Sequence, residues 1–313
     1  MGKTFSRTLS AIAVVVASAL ALPVRAAPIK SEVRKFAVLR GEAVKPLPKA
    51  EAKYAMAPFQ SGHCGVCHVN DDPNKPGPIR HATVNEQCFE CHDDVNEVMK
   101  RRYKHTPSKE ACTDCHNPHA SNIEKNLIAL PFNLCVNCHA KDGMVAADGT
   151  AMTNYKQWLD DNKHWHDPVK NKDCSACHKT HGGDNFRLLV AAYPEKFYAA
   201  YDRKNYALCF GCHNEKVVSQ PETTTLTGFR DGSRNLHYVH VNKERGRTCR
   251  ACHEVHASKQ DNHIRDAVPY GPKGWLLSIG YTKTATGGQC TKTCHDTKTY
   301  NNKTLTSAVP AKK

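Results

Sequence analysis

Sixteen cysteines in the 313-residue chain fall into eight closely spaced pairs, and a histidine directly follows the second cysteine of every pair. Seven pairs read Cys-x-x-Cys-His, and the eighth is one residue longer, Cys290-Thr-Lys-Thr-Cys294-His295. Two thiols at this spacing can bond to the two vinyl groups on one edge of a porphyrin, and the next residue can then bring an imidazole to the iron. The pattern therefore predicts eight covalently attached haem c groups. We number the attachment sites 1 to 8 in chain order.

The predicted attachment residues are of two kinds. The cysteines that form thioether bonds are Cys64 and Cys67, Cys88 and Cys91, Cys112 and Cys115, Cys135 and Cys138, Cys174 and Cys177, Cys209 and Cys212, Cys249 and Cys252, and Cys290 and Cys294. The proximal iron ligands, which follow them, are His68, His92, His116, His139, His178, His213, His253 and His295.

Three other uses of paired cysteines explain the pattern less well. A disulfide framework suits an exported protein but requires no histidine after each pair. Zinc sites use Cys-x-x-Cys groups but would leave the adjacent histidines without a role. Iron–sulfur clusters are held by cysteines alone.

Eleven histidines lie outside the motifs, and eight of them are needed if every iron has two imidazole ligands. A histidine seven to nine residues before the first cysteine, and another three residues after the proximal histidine, recur around sites 3, 5 and 7. Neither can easily reach around its own haem, so we expect both to bind neighbouring haems. The predicted distal ligands are His63, His81, His105, His119, His166, His181, His240 and His256.

Some side chains remain outside that set. His164 is an alternative to His166, His237 is an alternative to His240, and His263 has no assigned role. Asp71 stands where the histidine after site 1 would be, so the ligands of the first unit are the weakest part of the pattern. The methionines that follow the N-terminal segment have no motif context, so methionine is not the preferred ligand; these are Met56, Met99, Met144 and Met152.

The sites group into an irregular repeat of two haems. We predict an octahaem domain over residues 63–296, divided into unit 1 (63–100), unit 2 (101–145), unit 3 (160–215) and unit 4 (235–296). Residues 27–62 are rich in Lys, Pro and Ala and are predicted to form an extended basic arm. Residues 297–313 are predicted to be a disordered tail.

The N-terminal 26 residues have the pattern of a signal peptide. Lys3 and Arg7 precede a short apolar run over 9–22, and Val24-Arg25-Ala26 is typical of a cleavage site. The run is too short for a stable membrane span. We therefore expect an exported chain with no transmembrane segment after processing.

Composition and charge agree with a chain organised around cofactors. Apolar residues make up 40% of the sequence and aromatic residues 7%, so attached haems are expected to supply much of the core. The net charge of +14 would suggest nucleic acid, but the two propionates of each haem would balance much of it. No base-reading element accompanies the charge, so no nucleic-acid partner is predicted.

Few regular elements are predicted between the motifs. Helices are expected over 87–100 and 194–205, and a hairpin around Asp231-Gly232 within 223–241. The expected fold class is therefore mainly α with much irregular loop and little β structure.

The segments Cys112-Thr-Asp-Cys115-His116-Asn-Pro-His119 and Cys249-Arg-Ala-Cys252-His253-Glu-Val-His256 resemble the doubled CXXCH motif of bacterial multihaem cytochromes c. The resemblance covers roughly residues 60–296, and in size the chain is similar to octahaem periplasmic cytochromes of metal-reducing bacteria. It implies a periplasmic location, or alternatively an outer-membrane-associated or extracellular one. The implied partners are other redox proteins: inner-membrane or periplasmic donors, and an outer-membrane porin–cytochrome complex or extracellular cytochromes as acceptors.

Ligation by two histidines would saturate each iron and favour outer-sphere electron transfer, so the chain is predicted to be an electron carrier and not an enzyme. The first alternative is a multihaem reductase for nitrite, tetrathionate or hydroxylamine with one five-coordinate haem. The second is a subunit of an extracellular cytochrome filament, which the sequence of one chain does not distinguish from a monomer.

Overall fold

The computed structural model describes residues 51–303, except 147–148, 272–274 and 292–293. The predicted signal peptide and most of the basic arm lie outside the described residues. Of the described residues, 33% are helical and 21% are in strands or bridges. The expectation of a mainly α fold with little β structure is therefore only loosely met, because the segments between the motifs pair as many short strands.

The helices are short, and the first cysteine of each of sites 1 to 7 lies in one of them. The α-helices are Ala57–Ser61, Val84–Phe89, Asp93–Val98, Thr106–Glu110, Pro131–His139, Tyr155–Asp161, Asp167–Lys170, Ala207–Phe210, Lys216–Ser219 and Leu236–Val241. The 3-10 turns are Cys64–Val66, Cys112–Asp114, Glu124–Asn126, Cys174–Ala176, Phe186–Leu188, Arg203–Tyr206, Cys249–Ala251 and Asp261–His263.

All the strand pairs are antiparallel, and most are only two residues long. The two-residue pairs are Tyr54–Ala55 with Ala120–Ser121, Tyr103–Lys104 with Gly182–Gly183, His164–Trp165 with Ala257–Ser258, Tyr198–Ala199 with Gly246–Arg247, and Arg230–Asp231 with Arg234–Asn235. The four-residue strands are Ala267–Tyr270 with Trp275–Ser278, and a sheet of Tyr281–Thr284, Gly287–Cys290 and Lys298–Asn301.

The chain after each odd-numbered site folds back on the motif in the same way. The proximal histidine forms a β-bridge with an apolar residue eleven positions later: His68 with Ile79, His116 with Leu127, His178 with Leu189 and His253 with Ile264. In the second, third and fourth copies the turn between them has two successive residues with positive φ, such as Lys125 at 60° and Asn126 at 53°. The repeat predicted from the cysteines is therefore a repeat of backbone structure as well.

Three of the short strand pairs join successive units. The strand before site 1 pairs with residues just after His119, the strand before site 3 with residues just after His181, and the strand before site 5 with residues just after His256. The strands before sites 1, 3 and 5 thus each bond one unit to the unit that follows.

Unit 4 begins differently, with a tight hairpin and a helix. Asn235 is fully buried and caps the helix Leu236–Val241 by accepting from the amides of His237 and Tyr238. Its amide group also donates to the carbonyls of Val217 at 2.9 Å and Gln220 at 2.8 Å. One buried side chain therefore fixes the helix that carries His237 and His240.

Few apolar side chains are buried among the described residues. Leu189, Tyr193 and Tyr206 form a buried cluster beside the motif of site 6, and Tyr206 is the largest fully buried apolar side chain. Such a small apolar core is what the composition predicts for a chain whose stability depends on attached groups. No helix in the described part of the chain is long and apolar enough to cross a membrane.

Several sequence expectations need correction. The helix predicted over 87–100 is broken at the motif of site 2, because the turn that follows Phe89 presents Cys91 and His92. The helix predicted over 194–205 is wrong: Tyr198–Ala199 pairs as a strand with Gly246–Arg247, and only Arg203–Tyr206 forms a 3-10 turn. The hairpin around Asp231-Gly232 is present but short, since a helix replaces its second half.

Both predicted termini also contain regular structure where the chain is described. The end of the basic arm forms a strand and the helix Ala57–Ser61. Lys298–Asn301, at the start of the expected disordered tail, completes a three-stranded sheet by pairing with the strand that ends at Cys290.

Candidate haem-attachment sites

The four odd-numbered sites share one geometry. The first cysteine begins a 3-10 turn and the second follows its last residue as the C-cap. The Nδ1 atom of the proximal histidine is hydrogen-bonded to a backbone carbonyl nine residues later. These distances are 2.7 Å from His68 to Gly77, 2.8 Å from His116 to Lys125, 3.0 Å from His178 to Arg187 and 2.8 Å from His253 to Asn262. A carbonyl partner requires Nδ1 to carry the proton, which leaves Nε2 free to bind a metal.

Sites 2, 4 and 6 use a helix in place of the 3-10 turn. Their first cysteines lie in the helices Val84–Phe89, Pro131–His139 and Ala207–Phe210. Site 8 differs from the other seven sites, because Cys290 is the last residue of a strand. Its motif is also one residue longer. All sixteen cysteines lie in the described part of the chain, and none forms a disulfide.

Six proximal histidines each face one histidine from outside the motifs. The ring planes of each pair lie within 27° of parallel, and the ring centres are 6.1–6.3 Å apart. The pairs are His68 with His119, His116 with His181, His139 with His105, His178 with His256, His213 with His166, and His253 with His237.

This spacing fits an iron atom between two imidazoles. A metal–imidazole bond is about 2.0–2.1 Å long and the ring centre lies about 1.1 Å beyond the nitrogen, so two imidazoles on opposite sides of one metal have centres about 6.2 Å apart. No three His, Cys, Asp or Glu side chains of residues 51–303, outside the gaps, gather as they would around a bare ion. The paired imidazoles therefore fit a haem, which supplies four nitrogen ligands of its own.

Burial keeps most of these imidazoles neutral, which is the form that binds a metal. Burial is the largest cause that lowers the pKa of His105, His119, His139, His166, His178, His181 and His253. His237 shows the largest effect, because burial and then the neighbouring His253 and His240 lower its pKa to about 4.

Sites 2 and 8 have no facing imidazole of this kind among the described residues. At site 8, burial is the largest cause that lowers the pKa of His240, and nearby cationic groups, of which His295 contributes least, lower it further. The Nδ1 atom of His240 is hydrogen-bonded to the Leu236 carbonyl at 2.7 Å, so its Nε2 is free. His240 belongs to the predicted set of distal ligands, in which it is assigned to no particular haem, and it is a candidate for site 8.

The structure brings together only some of the predicted distal ligands. His105, His119, His166, His181 and His256 each face a proximal histidine, whereas His63 and His81 face none within the described residues. His237 faces His253 but is not in the predicted set, where it is only an alternative to His240. His164 and His263 lie elsewhere: His164 is 3.4 Å from a carboxylate oxygen of Asp261, and the ring of His263 packs edge-on against His166.

The cysteines of neighbouring sites lie close enough to shift each other's pKa. Between units this holds for Cys88 with Cys112, Cys135 with Cys174, and Cys209 with Cys249. Within the units burial is the largest cause that raises the pKa, and a cysteine of the next site adds to it: Cys91 for Cys67, Cys138 for Cys115, Cys209 for Cys177 and Cys290 for Cys252. Consecutive sites are therefore spatial neighbours all along the chain.

The buried carboxylate of Glu254 lies beside His256, the imidazole that faces His178. A carboxylate oxygen of Glu254 is 3.7 Å from Nδ1 of His256, and the carboxylate is also paired with Arg265. Burial by itself would raise the pKa of Glu254, but the hydrogen bonds and charges of His256 and Arg265 outweigh it and lower the pKa to about 2. The carboxylate therefore stays ionised and orients the His256 ring.

Three segments match the family described as the doubled CXXCH motif. The matches cover residues 57–97, 105–144 and 166–218, which contain sites 1 to 6. Each match begins near the leading helix of a unit and ends after its second site. This likeness supports covalently bound haem c and a multihaem cytochrome c. A comparison with curated proteins gave no match.

Proposed function

We propose that the protein is an octahaem c-type cytochrome that carries electrons through haems whose irons are saturated by protein ligands. The six facing histidine pairs are the observation that supports it most strongly. When bound, a six-coordinate haem supplies outer-sphere electron transfer and offers no open iron position to a substrate. The chain then has to set the spacing, orientation and potential of each site.

The proposed ligands follow a simple rule. Sites 1, 3 and 5 each take the distal imidazole from the histidine that follows the next odd-numbered site, so His119 binds at site 1, His181 at site 3 and His256 at site 5. His105 and His166 serve sites 4 and 6 of their own units. In unit 4, His237 serves site 7 and His240 serves site 8. This assignment replaces the sequence prediction for His63 and His81.

The proximity of the cysteines of consecutive sites supports an electron path in sequence order, from site 1 to site 8. Tyr155 adds a further contact between two units, because its ring centre lies 6.1 Å from that of His139 and 4.9 Å from that of His256. It therefore lies between sites 4 and 5. A path of this kind has two ends, which suits a chain that accepts electrons from one redox protein and delivers them to another.

The proposed setting is the periplasm, reached by the predicted signal peptide, with a position against the outer membrane or outside the cell as alternatives. The proposed donors are inner-membrane or periplasmic redox proteins, and the proposed acceptors are an outer-membrane porin–cytochrome complex or extracellular cytochromes.

The test combines haem counting with spectroscopy of the purified holoprotein. Mass spectrometry should show eight haems that remain attached in denaturant. Low-temperature EPR of the oxidised protein should show low-spin iron, and carbon monoxide should barely change the reduced spectrum. A high-spin signal with rapid turnover of nitrite or hydroxylamine would instead identify a reductase. A holoprotein mass that corresponds to seven haems would mean that site 8 or another site carries no haem.

A further inference from the structure

Three segments that precede sites 1, 3 and 5 have the same local structure. Each has a two-residue strand, one residue with extended backbone, and then a helix with proline in its first turn. The extended residue is Met56, His105 or His166, with φ and ψ of −64° and 138°, −76° and 121°, and −61° and 141°. Met56 also precedes Cys64 by the eight residues that separate His166 from Cys174.

These three residues also make the same long-range hydrogen bond. The amide of Met56 donates to the carbonyl of His119 at 2.9 Å, that of His105 to His181 at 2.9 Å, and that of His166 to His256 at 3.0 Å. The flanking strands pair in the same register in all three cases. Met56 therefore occupies the position of His105 and His166 in the fold, by three independent measures.

His105 and His166 each face the proximal histidine of the even-numbered site in their own unit, His139 and His213. We infer that the thioether sulfur of Met56 is the sixth ligand of the iron at site 2, opposite His92. Thioether sulfur is an established axial ligand of haem iron, and it raises the reduction potential relative to a second imidazole. Site 2 would then have a higher potential than the bis-histidine sites around it.

The two histidines near site 2 do not hold an equivalent position. His63 is exposed and lies directly before the 3-10 turn of site 1, where the other units have Ala111, Asp173 and Thr248. Nε2 of His81 is 3.5 Å from a carboxylate oxygen of Glu90, which lies between Cys88 and Cys91 in the chain. His92 faces no imidazole among the described residues, so Met56 is the one candidate that the repeat places there.

The inference rests on the proposed haem attachment at site 2. The test distinguishes a failure of that attachment from a failure of ligation by Met56. Oxidised holoprotein that contains eight haems should show the far-red charge-transfer band of methionine-ligated ferric haem, with an intensity of one haem in eight. Met56→His should abolish the band, keep all irons low-spin and lower the potential of one haem in a spectroelectrochemical titration. Met56→Ala should give one high-spin haem that binds carbon monoxide.

Met99→Leu and Met152→Leu are the matched controls and should leave the band unchanged, and His81→Ala should create no high-spin haem. A band that survives Met56→His, or its absence from eight-haem wild-type protein, would overturn the inference. So would an open haem in His81→Ala but not in Met56→Ala. A wild-type protein with no haem on the peptide containing Cys88 and Cys91 would instead remove attachment at site 2.

Discussion

The middle units and the last unit obtain their distal imidazoles from different places. Unit 2 depends on its successor, because His181, which faces His116 of site 3, belongs to unit 3. In unit 4, the helix Leu236–Val241 supplies both His237 and His240 from within the unit. The second histidine on this helix therefore takes the place that a histidine of the following unit has in unit 2.

The largest predicted effect compares these two arrangements directly. His181→Ala should open the iron of site 3 and also remove a bond between units 2 and 3, lowering the melting temperature by about 5–10 °C, or roughly 2–4 kcal/mol. His237→Ala should open one haem but lower the melting temperature less, because the lost bond lies within one unit. EPR and carbon monoxide binding count the opened haems, and thermal denaturation gives the stability.

The backbone hydrogen bond between units 2 and 3 is the same in the wild type and in His181→Ala. The His181 carbonyl that accepts from the amide of His105 remains in the alanine variant. Equal losses of stability in the two variants would show that the facing imidazoles do not connect the units.

The second prediction concerns the buried cap of the unit 4 helix. Asn235→Ala removes the cap and leaves the carbonyls of Val217 and Gln220 without their side-chain donor, and we expect a loss of about 2–3 kcal/mol. Because the same helix carries His237 and His240, sites 7 and 8 should both gain high-spin character. Asn154→Ala is the control: it removes the cap of the helix Tyr155–Asp161 and should cost about 1 kcal/mol with no change at site 7. An unchanged EPR spectrum in Asn235→Ala would mean that the helix does not depend on its cap.

The sequence predicts the position of a residue in this structure when the same residue type recurs in each unit. The attachment motifs and the histidines three residues after sites 3, 5 and 7 recur in the sequence, and the structure sets each of those three opposite a proximal histidine. Met56 and His237 break the pattern of residue types while holding positions that the fold requires. The signals were present, as the proline two residues after Met56 and as the second histidine in the segment 236–241. They become readable only once the leading strands are paired.

The short strands were not predictable in the same way. Tyr198–Ala199 lies in a segment with no strand pattern, and its partner Gly246–Arg247 is about 48 residues away. Two-residue strands have almost no periodicity of their own, and tertiary contacts decide whether they form.

The third prediction concerns reduction potential and not stability. It compares the haem at site 5 with the haems at the other odd-numbered sites. The Glu254 carboxylate near Nδ1 of His256 makes this imidazole a stronger donor to ferric iron. Glu254→Gln should raise the potential of one haem, with about 59 mV for each tenfold change in the relative stability of its two oxidation states. Asp160→Asn, which removes the partner of Lys156 in an exposed ion pair, should leave all potentials unchanged. A titration curve identical to that of the wild type would show that the carboxylate does not tune site 5.

The smallest predicted effect concerns the exposed ion pair between units 2 and 3. Nη1 of Arg101 is 2.6 Å from a carboxylate oxygen of Asp184, and a hydrogen bond from Arg101 lowers the pKa of Asp184 from its ordinary value of 3.8. A carboxyl whose pKa is lowered in the folded state stabilises that state above its ordinary value and loses this contribution as the pH falls through the folded value. Asp184→Asn should therefore flatten the dependence of the melting temperature on pH below about 4 and leave it unchanged at neutral pH in moderate salt, where exposed pairs are screened. A large loss of stability at neutral pH would mean that this ion pair, and not the imidazole of His181, is the main connection between units 2 and 3.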